Sequence, residues 1–141
     1  MPIQFVLLPL FVQVALTFVL LFWTARVRTV VVRSREVKMK DIALGQPNWP
    51  TRATQIANCY NSQFQLPVLF YVLTILAIVT RHADLLFVVM AWLFVVTRLI
   101  HAYIHTGTNY VPHRFNAFAV GAIVLLLMWA IFAARLIAGL P

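Results

Sequence analysis

Acidic residues are nearly missing from this chain of 141 residues: Asp and Glu together number three, against eleven Lys and Arg. Charge of either sign is scarce, at 10% of residues, where a soluble domain carries about 25%. That scarcity argues against an ordinary soluble domain. Cysteine is nearly missing too. The single Cys59 excludes an intrachain disulfide, so cysteine defines neither a framework nor a compartment. A lone thiol within a helical segment reads as packing. No internal repeat or low-complexity segment is present.

What the chain has instead is apolar sequence, 63% of residues, gathered into long uncharged runs at Ile3–Ala25, Ala53–Thr80, Leu85–Thr97 and Phe115–Ala134. A membrane-spanning helix needs roughly 20 predominantly apolar residues. Three runs satisfy this alone, and the third does so by continuing through Arg98 to His105. The pattern predicts an all-α integral membrane protein, a four-helix transmembrane bundle. It forms one domain over residues 1–141, with spans at about 3–32, 51–80, 84–106 and 113–138. The first run lacks a basic n-region and a small-residue cleavage pattern, so it reads as a retained helix rather than a signal peptide.

The net charge of +8 would suggest nucleic acid in a soluble chain. Here most of it lies between Arg26 and Arg52, in the first loop and its flanks, and no nucleic-acid partner is expected. Basic residues in short loops favour the cytoplasmic side. The expected topology therefore has the first and third loops cytoplasmic and both termini outside. The basic loop also suits anionic lipid headgroups. Arg52, near the start of the second span, is expected to reach the same headgroups.

Several spans carry polar groups that are costly in hydrocarbon and therefore mark a site by default. In the second span Thr51, Thr54, Gln55, Asn58, Asn61, Ser62 and Gln65 fall on one helical face. Facing lipid they would be unsatisfied, so the stripe must meet other helices or a wet cavity. In the third span Arg98, His101 and His105 follow at spacings of three and four, on one face. The fourth span opens after Pro112 with His113, Arg114 and Asn116. With spans alternating in direction, all three clusters reach one membrane face. Gln13, alone in the first span, reads as a helix–helix hydrogen bond. Two histidines four apart can hold a metal, but no carboxylate or thiol lies near in sequence and an arginine lies beside them. No metal is expected. An anion suits an Arg-His-His stripe better, because arginine offers carboxylates a planar fork.

The pattern Arg98-x-x-His101-x-x-x-His105, with Arg114 nine positions on through Pro112, resembles the third and fourth helices of the MAPEG superfamily, in a bacterial-type form. These are membrane-associated proteins of eicosanoid and glutathione metabolism. The second-span segment Asn61-Ser62-Gln63-Phe64-Gln65-Leu66-Pro67 is similar to that family's Asn/Glu-then-Pro stretch. The resemblance covers nearly the whole chain. It implies a homotrimer of four-helix subunits, with glutathione held between neighbouring subunits near the cytoplasmic side and a lipophilic small-molecule substrate entering from the bilayer. On that reading Arg114 stabilises the thiolate as the catalytic residue. Asn58, Asn61, Gln65, Arg98, His101 and His105 bind the tripeptide as bound co-substrate. The chain departs from the family at several positions. No carboxylate stands where the family has a second-span glutamate, Gln65 or Asn61 being nearest. His105 and Phe118 stand where tyrosines occur, and Phe115 where some members have serine.

Two functional readings stay open on the residues alone. One is a glutathione transferase or peroxidase acting on lipophilic electrophiles. The other is a non-catalytic membrane module that binds a lipid or an acidic small molecule.

Overall fold

The computed structural model describes residues 1–140. Helix α1 covers Ile3–Arg33 and leads through a short 3-10 turn, Met39–Asp41, to α2 (Thr51–Ser62) and α3 (Leu66–Val79). Helices α4 (Leu85–Thr106) and α5 (Val111–Ile137) complete the chain. Since α2 and α3 share one crossing, four helical stretches among the described residues are long and apolar enough to span a membrane: Ile3–Arg33, Thr51–Val79, Leu85–Thr106 and Val111–Ile137. Helix α5 starts ahead of the expected 113 because Pro112 fits within its first turn, where a missing N–H costs nothing.

The second crossing differs from the continuous helix the sequence suggests. It breaks at Gln63–Gln65, and Pro67 is the reason. Proline has no N–H to give the Gln63 carbonyl, and its ring crowds that same carbonyl. Three successive tight bonds carry the chain through: Gln63 N–H to the Tyr60 carbonyl, Phe64 to Asn61, and Gln65 to Ser62. The break lets α2 and α3 take different neighbours.

Helix α4 is the centre of the bundle, packed against α5, α1 and α2, while α3 packs on α1 and α5. Its inward face buries Phe87, Val88, Ala91, Phe94 and Val95. Phe94 stacks on Phe70 of α3 at 4.9 Å, with Leu73, Leu125 and Met128 closing the core. The outward faces keep large apolar side chains such as Phe22, Val79 and Leu126 exposed. In lipid that exposure costs nothing, and helix association rests on close packing and interhelical hydrogen bonds. Gly121 lets α5 approach α4 closely: a Cβ there would lie 2.7 Å from Thr97 Oγ1.

Gln13 makes the helix–helix bond its position calls for. It is 0% exposed, and its Nε2 donates to Gln63 Oε1 at 2.8 Å, tying α1 to the break. Gln63 Nε2 in turn donates to the Cys59 carbonyl at 2.9 Å and to Ser62 Oγ at 3.1 Å. Replacing Gln13 with leucine leaves Gln63 Oε1 without its donor. The expected loss is about 1 kcal/mol, in the range of interhelical bonds in membranes. Thermal unfolding in detergent would register it, and an unchanged midpoint would remove the tie from the fold's account.

The end of the bundle holding the chain termini is closed by a different set. Asp84 caps α4, accepting from the Phe87 N–H at 3.0 Å, and pairs with Arg135 Nη1 at 2.7 Å. Partial burial pushes the Asp84 carboxyl upward. The Phe87 N–H and the Arg135 guanidinium outweigh it and hold the group below the usual carboxylate range. A carboxyl depressed on folding stabilises the fold above its unfolded value and loses that contribution as pH falls through the folded one. The melting temperature should therefore decline below about pH 4, and less so for Asp84→Asn. The difference should be small, under about 1 kcal/mol, because the pair is solvent-screened.

Candidate functional site

The C-terminal half of α4 forms the floor of the site. Arg98, His101 and His105 share its inward face, and all three are buried. The two imidazoles meet edge to face with centroids 5.4 Å apart, and His101 lies 6.0 Å from the Phe118 ring. Neither histidine Nδ1 has a hydrogen-bond partner among the described residues. Arg98 is 1% exposed, and its Nη2 donates to the Ser62 carbonyl at 3.2 Å and to Ser62 Oγ at 3.0 Å.

Helix α2 makes one wall. The last carbonyls of any helix lack intrahelical partners, and α2 supplies them for α4. Gln55 Nε2 donates to the carbonyls of His105 at 2.7 Å and Gly107 at 3.0 Å, and Arg52 donates to that of Thr106. A cation at a helix C-terminus is also favoured by the helix dipole. Arg52, though exposed, thus also ties α2 to α4, with its guanidinium 5.4 Å from the centre of the Trp23 ring. This clamp fixes α2 on α4 and leaves Asn58, Asn61 and Gln65 on the open side. Cys59 points the other way, fully buried beside Leu20 and Ala102, as packing.

The opposite wall comes from α5. The turn into it uses Asn109 at φ 52°, a left-handed conformation that asparagine tolerates. From there Asn109 Oδ1 accepts from Arg114 Nη1 at 2.6 Å, which fixes one edge of the guanidinium. Helix α5 packs against α4 and α3 and makes no substantial contact with α2. The break at Gln63–Gln65 thus opens a cleft of about 440 Å³ between α2 and α5, with α4 beneath. That volume lies within the roughly 300–1,000 Å³ of small-molecule sites.

Asn58, Asn61, Gln65, His101, His105 and Arg114 all line this cleft, together with Ser62, Val111, Phe115 and Phe118. Arg98 does not reach the surface of the cleft. It sits behind the wall, gripping Ser62. His113 and Asn116 line a separate groove on the far side of α4 and α5, with Thr97 and Ile100. No carboxylate is among the lining residues, so the cleft presents one guanidinium, two imidazoles and three amides. Its chemistry suits a polar anion, which the arginine balances while amides and ring nitrogens complete the hydrogen bonds. Sequence reasoning passed over Gln63, whose buried amide joins Gln13 to Ser62. The signal available was Pro67, four residues on, which frees the Gln63 carbonyl and forces the helix to break there.

The sequence model of the MAPEG family matches residues 6–134, through all four crossings. No curated protein and no solved structure matches the chain. The match takes in nearly the whole length, and the chain belongs to the MAPEG family.

Proposed function

We propose that the cleft binds glutathione at the cytoplasmic side of the membrane and presents its thiol, as thiolate, to a lipophilic electrophile or hydroperoxide. The observation that carries this reading is a cleft of fitting size in which Arg114, His101 and His105 stand together with Asn58, Asn61 and Gln65. Glutathione is a net anion with two carboxylates and two peptide amides. Arg114 offers charge to a carboxylate or the thiolate, and the three amide side chains match peptide groups in both directions. Nearby positive charge favours a thiolate over a thiol. The free edge of Arg114, opposite the bond to Asn109, is the group best placed to supply it.

The surroundings support a second, apolar substrate. Directly beyond Gln65 and Phe118, Leu66, Leu69, Ala122, Leu125, Leu126 and Trp129 line a groove of about 510 Å³ between α3 and α5. A lipophilic molecule dissolved in the bilayer reaches the polar cleft along that groove without crossing water. Family membership supports the homotrimer and the cytoplasmic placement of the first and third loops.

A specific observation favours a second reading, the non-catalytic module. Phe115 and Phe118 place aromatic carbon, not a hydroxyl, beside Arg114, and no carboxylate is there to pair with the tripeptide's ammonium. Titrating the detergent-solubilised protein with glutathione, while following thiolate absorbance, separates the two. Saturable binding with thiolate formation and conjugation of a general electrophile supports the transferase. Binding of an acidic amphiphile without any response to glutathione supports the module.

A further inference from the structure

The strongest feature outside the cleft is the first loop. Helix α1 runs 31 residues, about 46 Å at 1.5 Å per residue, against roughly 30 Å of hydrocarbon. Its last turns, with Arg26, Arg28 and Arg33, stand clear of the acyl chains and deliver the loop at the membrane surface. Between Arg26 and Arg52 the chain carries seven Lys and Arg against only Glu36 and Asp41.

The loop is built rather than slack. Residues Met39–Asp41 form the 3-10 turn, and Asn48 Nδ2 donates to the Asp41 carbonyl at 2.6 Å. Gln46 Oε1 accepts from the Leu44 N–H at 2.8 Å, and the Arg28 guanidinium lies 4.8 Å over the Trp49 ring. Val37 is buried at the loop's base. This scaffold holds Met39 outward at 70% exposure, between the exposed Lys38 and Lys40, and Leu44 at 90%. Lone exposed apolar residues are ordinary. A pair held out by a braced turn beside two lysines is the arrangement of an interfacial anchor, apolar groups entering the headgroup zone and cations on its phosphates.

We propose that the first loop is a docking surface for anionic phospholipid, with Lys38 and Lys40 on headgroup phosphates and Met39 and Leu44 in the interfacial layer. An acidic protein would satisfy the charge, but two features select the bilayer. The loop is tethered at both ends by membrane crossings, which holds its cations at the membrane side, where anionic headgroups attract them. The bare apolar pair also needs an apolar phase. The surface is independent of what the cleft binds, so failure of either idea leaves the other standing.

The test uses the full chain in nanodiscs of phosphatidylcholine, alone or mixed with phosphatidylglycerol. A fluorophore on Ala43→Cys reports quenching by headgroup nitroxides, Cys59 being fully buried. Native mass spectrometry reads which lipid stays bound. Quenching should rise with phosphatidylglycerol and fall with salt. Lys38→Gln with Lys40→Gln should cut phosphatidylglycerol enrichment by up to about twenty-five-fold, given up to roughly fivefold per basic residue near an anionic surface. Met39→Ser with Leu44→Ser should keep the enrichment and lose the quenching. A label equally exposed in both bilayers overturns the proposal, as does enrichment that ignores the lysines. Full competition by soluble glycerol phosphate would make this a free-phosphate site. Protection by polyglutamate alone would make it a protein surface. Either result also overturns it.

Discussion

Arg114→Ala is expected to weaken glutathione binding by about 2 kcal/mol, roughly thirtyfold, the worth of a hydrogen-bonded charge on an anion. The change removes the only guanidinium that lines the cleft among the described residues. It spares the fold, because among the described residues Arg114 bonds through its side chain only to Asn109, and that bond joins a turn to its own helix. The melting temperature should therefore barely move while binding collapses. The pH at which bound thiolate appears should also rise, since the neighbouring cation that favours the charged form is gone. Arg114→Lys separates charge from shape. It restores the thiolate response in part, and the planar fork that reads a carboxylate stays lost. Isothermal titration with glutathione, alongside the absorbance titration, measures both effects. Binding indifferent to Arg114→Ala would remove glutathione from the cleft, and the module reading would then stand alone.

Much of this arrangement was legible in the sequence, because hydrocarbon makes polar groups conspicuous. The four crossings follow from apolar runs that tolerate no other environment. That Asn58, Asn61, Gln65, His101, His105 and Arg114 reach one end of the bundle follows from helical spacing and alternating span direction; that they share one cleft is the structure's addition. Two features were not legible, for a shared reason. Whether a side chain on the correct face reaches the cavity or stays behind its wall depends on which neighbour is closer. Arg98 has the spacing of a ligand and the surroundings of a strut. Arg52 has the position of a headgroup anchor, and its bond to the carbonyl of Thr106 was not visible from that position. The helix break had a visible cause in Pro67. Its consequence, a cleft between α2 and α5, appears only once α3 is seen packed on α5 and α2 is not.

Arg98 gives the second large effect, and the form of the substitution decides its sign. A guanidinium 1% exposed has given up its hydration, and only one of its three nitrogens finds a partner, at Ser62. Such a group is costly to bury, so a well-packed apolar replacement of like volume is often tolerated or better, whereas truncation leaves a cavity. Arg98→Ala should lower stability by about 3 kcal/mol, through a cavity beneath the cleft and the loss of the tie between α4 and Ser62. Arg98→Met should recover most of that loss by refilling the space. Neither variant holds Ser62, and through Ser62 and Gln63 the bonds run on to the break and to α1. Both should therefore raise the KM for glutathione several-fold while leaving the rate at saturation closer to normal. On the proposed reading Arg98 is a positioning residue for the α2 wall, since it stands behind the lining of the cleft. Melting curves and steady-state kinetics on the pair check this together. If methionine restores the KM along with the melting temperature, Arg98 serves packing alone, and the placement of Asn61 and Gln65 must rest on Pro67 and the Gln13–Gln63 bond.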